Sequence, residues 1–425
     1  MSNVYKIVIA TTAILSGCAT GPFDLGASDF HPPVFSLANF KSPETRPSQQ
    51  SKQTAVVLAI SGGGHRAANF GIGVLRGLEN IQCNGAEHNA LQEVDYLSTA
   101  SGGGIAAAIY VTTLKSHLQQ HGDYTGYRFT NASKAFEPNA RRDHKTNIIR
   151  ALFDTRFLGN KDRGDALERD FSEMLLTTEN GSELTLRDLF IPVNSTEIPV
   201  LPIFIPNSTV FKTGEIFPYY PDTLKAYGLT EYTHKLHKKT IEQGDFLSAP
   251  VSLGLKASAT FPAGLPATTL RSNIGQGNKF VHLFDGGLAD NLGMTTALQI
   301  LGGTAEPNKV IITVDASREG RDPFSSEEGS PQIPQVLERT MSISVDANRN
   351  RAKWTANQIA KSMNAKSVYL SFDDIEDPAL SQSVRVRTDF GMEDTVQADL
   401  IKAGISVVNH KRDELVAAIF GKVCK

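Results

Sequence analysis

Six stretches of the chain are apolar enough to read as buried strands. The first is Gln53–Ile60, QTAVVLAI, which has no polar alternation after its opening residues. A continuous apolar run of this kind is the pattern of a parallel strand covered on both faces. Similar runs recur at 94–98, 199–205, 279–284, 310–314 and 367–372. Helical periods lie between several of them. Residues 66–79 place Phe70, Val74, Leu75 and Leu78 on one side, and residues 103–114 are apolar almost all round. Such a helix packs against a sheet. Two long helices are predicted near the C-terminus, over 337–360 and 396–420. Strands alternating with helices predict an α/β fold: a mostly parallel central sheet flanked by helices. Residues 115–198 and 206–245 are polar or mixed and read as insertions on that core; no internal repeat is visible.

The first residues follow a different logic. Met1–Cys18 carries Lys6, then the short apolar run Ile7–Leu15, then Leu15-Ser16-Gly17-Cys18. The run is shorter than the roughly 20 residues a membrane-spanning helix needs and suits a secretory signal. Its end resembles a bacterial lipobox, in which the cysteine is lipidated and becomes the new N-terminus. Residues 1–17 are therefore expected to be a lipoprotein signal peptide, with Cys18 the lipidation site. Ala19 rather than Asp follows, which favours a cell-envelope location at the outer membrane. Residues 18–51, rich in proline and serine, read as a tether with a reach on the order of 30 Å. Residues 52–425 are then the folded domain.

Composition narrows the class. The chain has 425 residues, a net charge of −3, 20% charged residues and 3 cysteines. This excludes a disordered tail and a disulfide-dense miniprotein. The absence of a basic footprint argues against nucleic acid as a partner. With Cys18 lipidated, Cys83 and Cys424 would form a disulfide in an oxidising compartment or remain two buried thiols. No cofactor or metal is implied. His234 and His237 share helical spacing in a basic stretch with Lys235, Lys238 and Lys239, which reads more simply as a solvated face or a contact with anionic head groups.

Three glycine-rich blocks carry candidate chemistry. Ser61-Gly62-Gly63-Gly64-His65-Arg66 follows a strand and opens a helix, so its N–H groups can converge on an anion or oxyanion. It lacks the Gly-Lys-Ser/Thr of a phosphate loop and the spacing of a dinucleotide loop. Thr99-Ala100-Ser101-Gly102-Gly103 is again strand, tight turn and apolar helix. Small residues around Ser101 suit a nucleophile elbow, although Thr99 stands where a glycine is usual; Ser101 as a simple helix N-cap is the plainer alternative. Asp285-Gly286-Gly287 ends a strand in a double-glycine turn.

In this order the three blocks resemble the patatin-like phospholipase family, and Gly63-Gly64-His65-Arg66 also resembles the loop of cytosolic phospholipase A2. Ala257-Ser258-Ala259-Thr260-Phe261-Pro262 resembles the family's Ala-Ser-rich segment. The resemblance implies a patatin-like layered fold and a Ser–Asp dyad without a catalytic histidine. Ser101 would be the nucleophile and Asp285 the base. Gly62, Gly63 and Gly64 would form the oxyanion hole. Arg66 would meet a substrate phosphate or fix the loop by an ion pair. The implied activity is acyl-ester hydrolysis of phospholipid or another acyl lipid, with the membrane reached through Cys18.

Two other readings stay open on sequence alone. One is a Ser–His–Asp esterase using His282 or His65. The other is a non-catalytic lipid- or envelope-binding lipoprotein on the same fold. The aromatic group Phe211, Phe217, Tyr219, Tyr220, Tyr227 and Tyr232 reads either as an acyl-chain entrance and lid or as the packing of a small sub-core.

Overall fold

The computed structural model describes residues 53–83, 86, 88–140, 163–177, 181–190, 201–231, 233–234, 239–240, 245–262, 265–272, 279–304, 306–317, 333–386 and 392–421. The expected signal, lipidation site and tether lie outside these residues, as do Cys424, Tyr232 and His237.

The elements used below follow in chain order. The strands are β1 (Thr54–Ile60), β2 (Tyr96–Ala100), β3 (Ile203–Val210), β4 (Ile216–Pro218), β5 (Leu229–Glu231), β6 (Thr268–Ser272), β7 (Lys279–Asp285), β8 (Asn308–Asp315) and β9 (Lys366–Ser371). The helices are α1 (Gly64–Glu79), α2 (Gly103–His121), α3 (Arg163–Leu175), α4 (Val251–Ser258), α5 (Gly287–Asp290), α6 (Met294–Gly303), α7 (Ile333–Ser362), α8 (Asp394–His410) and α9 (Arg412–Ile419).

One mixed sheet organises them, in the order β9-β8-β1-β2-β3-β7-β6-β5, with β4 paired to β3. The strands from β9 to β3 are all parallel. From β3 to β7 the pairing becomes antiparallel and stays so through β6 and β5. Each half shows the sequence pattern its surroundings demand. Every residue of β1 is buried, because helices cover both faces. In β6, Thr268, Leu270 and Ser272 are buried while Thr269 and Arg271 are exposed, the alternation of a sheet with one wet face.

The predicted strands all exist, with ends shifted by a few residues. The largest shift is in β3, expected at 199–205 and found at Ile203–Val210. The long C-terminal helix expected over 396–420 is two helices, α8 and α9, meeting at Lys411. The antiparallel strand β6, with its Thr269 and Arg271 turned outward, gave no apolar run to read.

Helix α1, which starts at the glycine loop, is clamped from behind by α8. A side chain on Gly73 would collide with Ile401 O, and one on Gly404 with Phe70 O, at 2.2 and 2.4 Å from the added carbon. The two backbones approach that closely only because both positions lack Cβ. Buried Lys256 of α4 pairs with Asp165 at 3.0 Å and Glu168 at 3.1 Å on α3, compensating charges withdrawn from water. Cys83 is buried and disulfide-bonded.

The aromatic insertion is a sub-core rather than an entrance. Phe217, Tyr219, Tyr220 and Tyr227 are all buried; Tyr219 OH donates to Pro250 O at 2.9 Å, and Phe217 packs edge-on against Tyr227. Among the described members of this group only Phe211 is exposed, against Phe284. A polypeptide insertion large enough to fold back must bury its own aromatics, and these do.

Candidate active site

Ser101 follows β2, and Asp285 ends β7. Strand β3 lies between them: Asn207 of β3 is level with Ala100, and Ser208 with Asp285. The two residues thus meet across one strand, at the seam where the sheet changes from parallel to antiparallel. The Ser101 hydroxyl lies close enough to the Asp285 carboxyl to lower its pKa as a hydrogen-bonding group.

Ser101 sits at φ 47°, in the left-handed region, the conformation of a sharp strand-to-helix turn. A non-glycine residue there costs on the order of 1–3 kcal/mol. The neighbours hold it in place. Its N–H donates to Ser258 Oγ at 2.9 Å. A Cβ on Gly102 would lie 2.0 Å from Gly64 O, and one on Gly62 would lie 3.2 Å from Ser101 Cβ. The elbow and the glycine loop are therefore in direct backbone contact. Thr99, in place of the usual glycine, is buried in β2 and does not prevent the turn.

Asp285 is almost fully buried. Desolvation is the main influence on its carboxyl and raises the pKa to about 6, against the opposing Ser101 hydrogen bond and the Gly287 N–H donated at 2.8 Å. A carboxylate of that basicity is a far better proton acceptor near neutral pH than a solvated one. No imidazole is among the groups that set its acidity. His282 is three residues before Asp285 on the same strand, so it faces the opposite side of the sheet; there it meets Thr269 Oγ1 at 2.9 Å. His65 is buried in α1. The geometry gives no support to a Ser–His–Asp arrangement.

The glycine loop divides its N–H groups. That of Gly62 donates to Asn291 O at 2.9 Å and is not available to an oxyanion, which corrects the expectation that all three glycines contribute. Among the described residues the N–H groups of Gly63 and Gly64 have no partner, and both residues are partly exposed beside Ser101. Gly63 has φ 143° and Gly64 φ 58°, conformations that side chains resist.

Arg66 is also corrected. It is 4% exposed; Nε donates to Ala316 O at 2.8 Å and Nη1 to Val386 O at 2.7 Å. Its guanidinium folds beneath the loop, 3.2 Å from where a Gly63 Cβ would be. It braces the loop from inside and presents no cation to a phosphate.

Several residues were not singled out by sequence. Asn207 donates to Ser98 Oγ and Thr99 O at 2.9 and 3.0 Å and accepts from Thr296 Oγ1 at 2.6 Å, fixing the strand beneath the elbow. Asn291 holds Gly62 by its carbonyl and reaches Ser317 Oγ through Nδ2 at 3.2 Å. The Ala-Ser-rich segment has a definite task. Ser258 holds Ser101 through Oγ and Gly286 through its carbonyl, and Thr260 O accepts from Asp285 N at 2.8 Å. It ties Ser101 and Asp285 to one short helix end.

A family model described as patatin-like phospholipase matches residues 58–298, more than half of the chain. The chain belongs to the patatin-like phospholipase family. The matched span holds all three glycine blocks, Ser101 and Asp285 among them. Among solved structures, human GIVD cytosolic phospholipase A2 is similar at 11% identity and a TM-score of 0.46, over 88% of this chain and 64% of that one. The same human protein in complex with methyl gamma-linolenyl fluorophosphonate is 13% identical, with a TM-score of 0.40, over 88% and 59% of the two chains. This patatin-like chain thus spans less than two thirds of the human protein. No curated protein matches it in sequence. Among the described residues, no group of three or more His, Cys, Asp or Glu could hold a metal, and no helix is long and apolar enough to cross a membrane.

Proposed function

We propose that this protein is a membrane-anchored serine lipid acyl hydrolase, of phospholipase A or lysophospholipase type, with Ser101 as nucleophile and Asp285 as base. The observation that carries this reading is Ser101, at a left-handed elbow, set across one strand from the buried Asp285 carboxyl, whose pKa burial raises to about 6.

The reaction is a two-step acyl transfer. Ser101 Oγ attacks the ester carbonyl carbon while its proton moves to Asp285, and the carbonyl π pair moves onto oxygen. Gly63 and Gly64 N–H groups receive that oxyanion, with the N-terminus of α1 adding its dipole. Collapse breaks the ester C–O bond, and the leaving alcohol takes the proton from Asp285. Water then attacks the acyl-enzyme, giving its proton to Asp285, and the fatty acid leaves as Ser101 is reprotonated. The anchor of this reading is a lipidated Cys18, which is held by acyl chains worth about 0.8 kcal/mol per buried CH₂.

The test is hydrolysis of a chromogenic acyl-ester series and of phospholipid vesicles by the wild-type chain, beside Ser101→Ala and Asp285→Asn, each checked for folding. Activity lost in both folded variants supports the dyad. Wild-type activity no greater than that of the variants overturns it and leaves a lipid-binding lipoprotein. Palmitate labelling that survives Cys18→Ser would overturn the anchor.

A further inference from the structure

Helix α7 has one side in the core and one side bare. Ala356 and Ala360 pack into the core beneath the sheet. Asn348 Nδ2 donates to Leu288 O at 2.8 Å, on the short helix that follows Asp285. Leu288 and Ala289 are partly exposed, as are Ser101, Gly63 and Gly64, so α7 buttresses the rim of the site.

The opposite side carries Val336, Ile343 and Trp354. Their spacings of seven and eleven residues align them on one line of the helix. All three are exposed, Trp354 at 67%, and it is the only tryptophan in the chain. Around Trp354 the charge has one sign, whereas the Ile343 end of the line also carries Asp346, beside Arg339 at 3.8 Å. From 347 to 366 the chain has Arg349, Arg351, Lys353, Lys361 and Lys366 and no Asp or Glu. Arg349 turns back toward Asp315 at 3.9 Å, and Lys353 lies over the Tyr369 ring at 3.8 Å. Lys366 Nζ donates to Ala417 O at 2.7 Å. Arg351 and Lys361 remain, both exposed, three residues before and seven after Trp354, on the tryptophan side.

We propose that this side of α7 docks on the surface of an anionic bilayer and brings the rim of the site to it; the inference rests on the lipid-hydrolase reading above. An indole favours the head-group level of a bilayer. Cations flanking it meet anionic lipid, each strengthening attachment about fivefold. The pattern differs from a protein-binding patch: the apolar residues are strung out singly, and lysine is depleted from the cores of protein interfaces.

The lone tryptophan makes the test direct. The full chain carrying Ser101→Ala, which spares the lipid from hydrolysis, is reconstituted into phosphatidylcholine vesicles with and without phosphatidylglycerol. Trp354 emission is recorded, together with its quenching by lipids brominated in the acyl chains. The expected result is a blue shift and strong quenching in the anionic vesicles and little of either in the neutral ones. Arg351→Gln with Lys361→Gln weakens this docking about 25-fold. Emission that stays water-like and unquenched in anionic vesicles overturns the proposal, including in favour of a protein that covers the helix. Hydrolysis of a monomeric ester by the wild-type chain tests the enzyme reading separately. Activity without quenching sinks the docking alone, whereas quenching without activity sinks the enzyme reading and keeps the docking.

Discussion

Asp285→Asn separates two effects of one buried charge, and both depend on pH. The carboxyl titrates near 3.8 in the unfolded chain and about 6 in the fold, because burial disfavours its charged form. At about 1.4 kcal/mol per pH unit, ionising it inside the fold costs about 3 kcal/mol. The sign follows from proton counting. Between pH 4 and 6 the folded chain holds a proton on Asp285 that the unfolded chain has released. Rising pH therefore destabilises the wild type across that window, with no further change above it. Asparagine keeps an oxygen for the Gly287 N–H and never ionises. The stability of Asp285→Asn relative to wild type should therefore rise by about 3 kcal/mol between pH 4 and pH 8, a change of about 3–4 °C in relative Tm for a chain of this size. Activity runs the other way. The variant should lose about 10²–10⁴-fold in kcat/KM. Wild-type kcat/KM should fall about tenfold per unit below pH 6, where Asp285 is protonated. Thermal melts of both proteins from pH 4 to 8, beside pH–rate profiles on a soluble ester, check the two arms. A Tm difference that is constant with pH, or wild-type activity that persists unchanged at pH 4.5, would refute the reasoning.

Three further outcomes are expected. Ser101→Gly should abolish hydrolysis while stabilising the fold by about 1 kcal/mol, read by urea denaturation, because glycine adopts the positive φ without strain. Gly102→Ala should cut kcat/KM by at least about 100-fold in whatever protein folds, because the new methyl would displace the Gly64 peptide from beside Ser101. Arg66→Met should cost about 3 kcal/mol of stability by orphaning the carbonyls of Ala316 and Val386. It should change kcat/KM on phospholipid and on a neutral acyl ester by the same factor; a loss confined to the phospholipid would return Arg66 to the substrate.

Much of this site was legible because its parts are local. A strand, a glycine turn and a helix are consecutive in sequence at both Ser61–Arg66 and Tyr96–Gly104, and their physical demands show in the residues themselves. Parallel strands such as β1 are equally plain, since a strand covered on both faces has no polar positions to confuse the pattern. What escaped is non-local. That Gly62 donates to Asn291, 229 residues away, is a fact of tertiary packing and leaves no mark beside Gly62. Arg66 next to a glycine loop looks like an anion contact until Val386 is seen beneath it. The aromatics from Phe217 to Tyr227 have the composition of a lipid entrance and of a core alike; only burial decides between them.

The braces on the glycine loop bear on where this chain can be cut. The family match stops at residue 298, yet Arg66 hangs from Ala316 and Val386, and α1 leans on Gly404 of α8. Strands β8 and β9 also lie beyond that boundary. A fragment excised at the edge of the family match would retain Ser101 and Asp285 and lose the partners that hold the glycine loop in shape. The smallest unit that keeps the loop braced therefore reaches through α8. During synthesis Ser101 and Asp285 are both made before Ala316, Val386 and Gly404, so the loop beside them is braced only once the last helices dock.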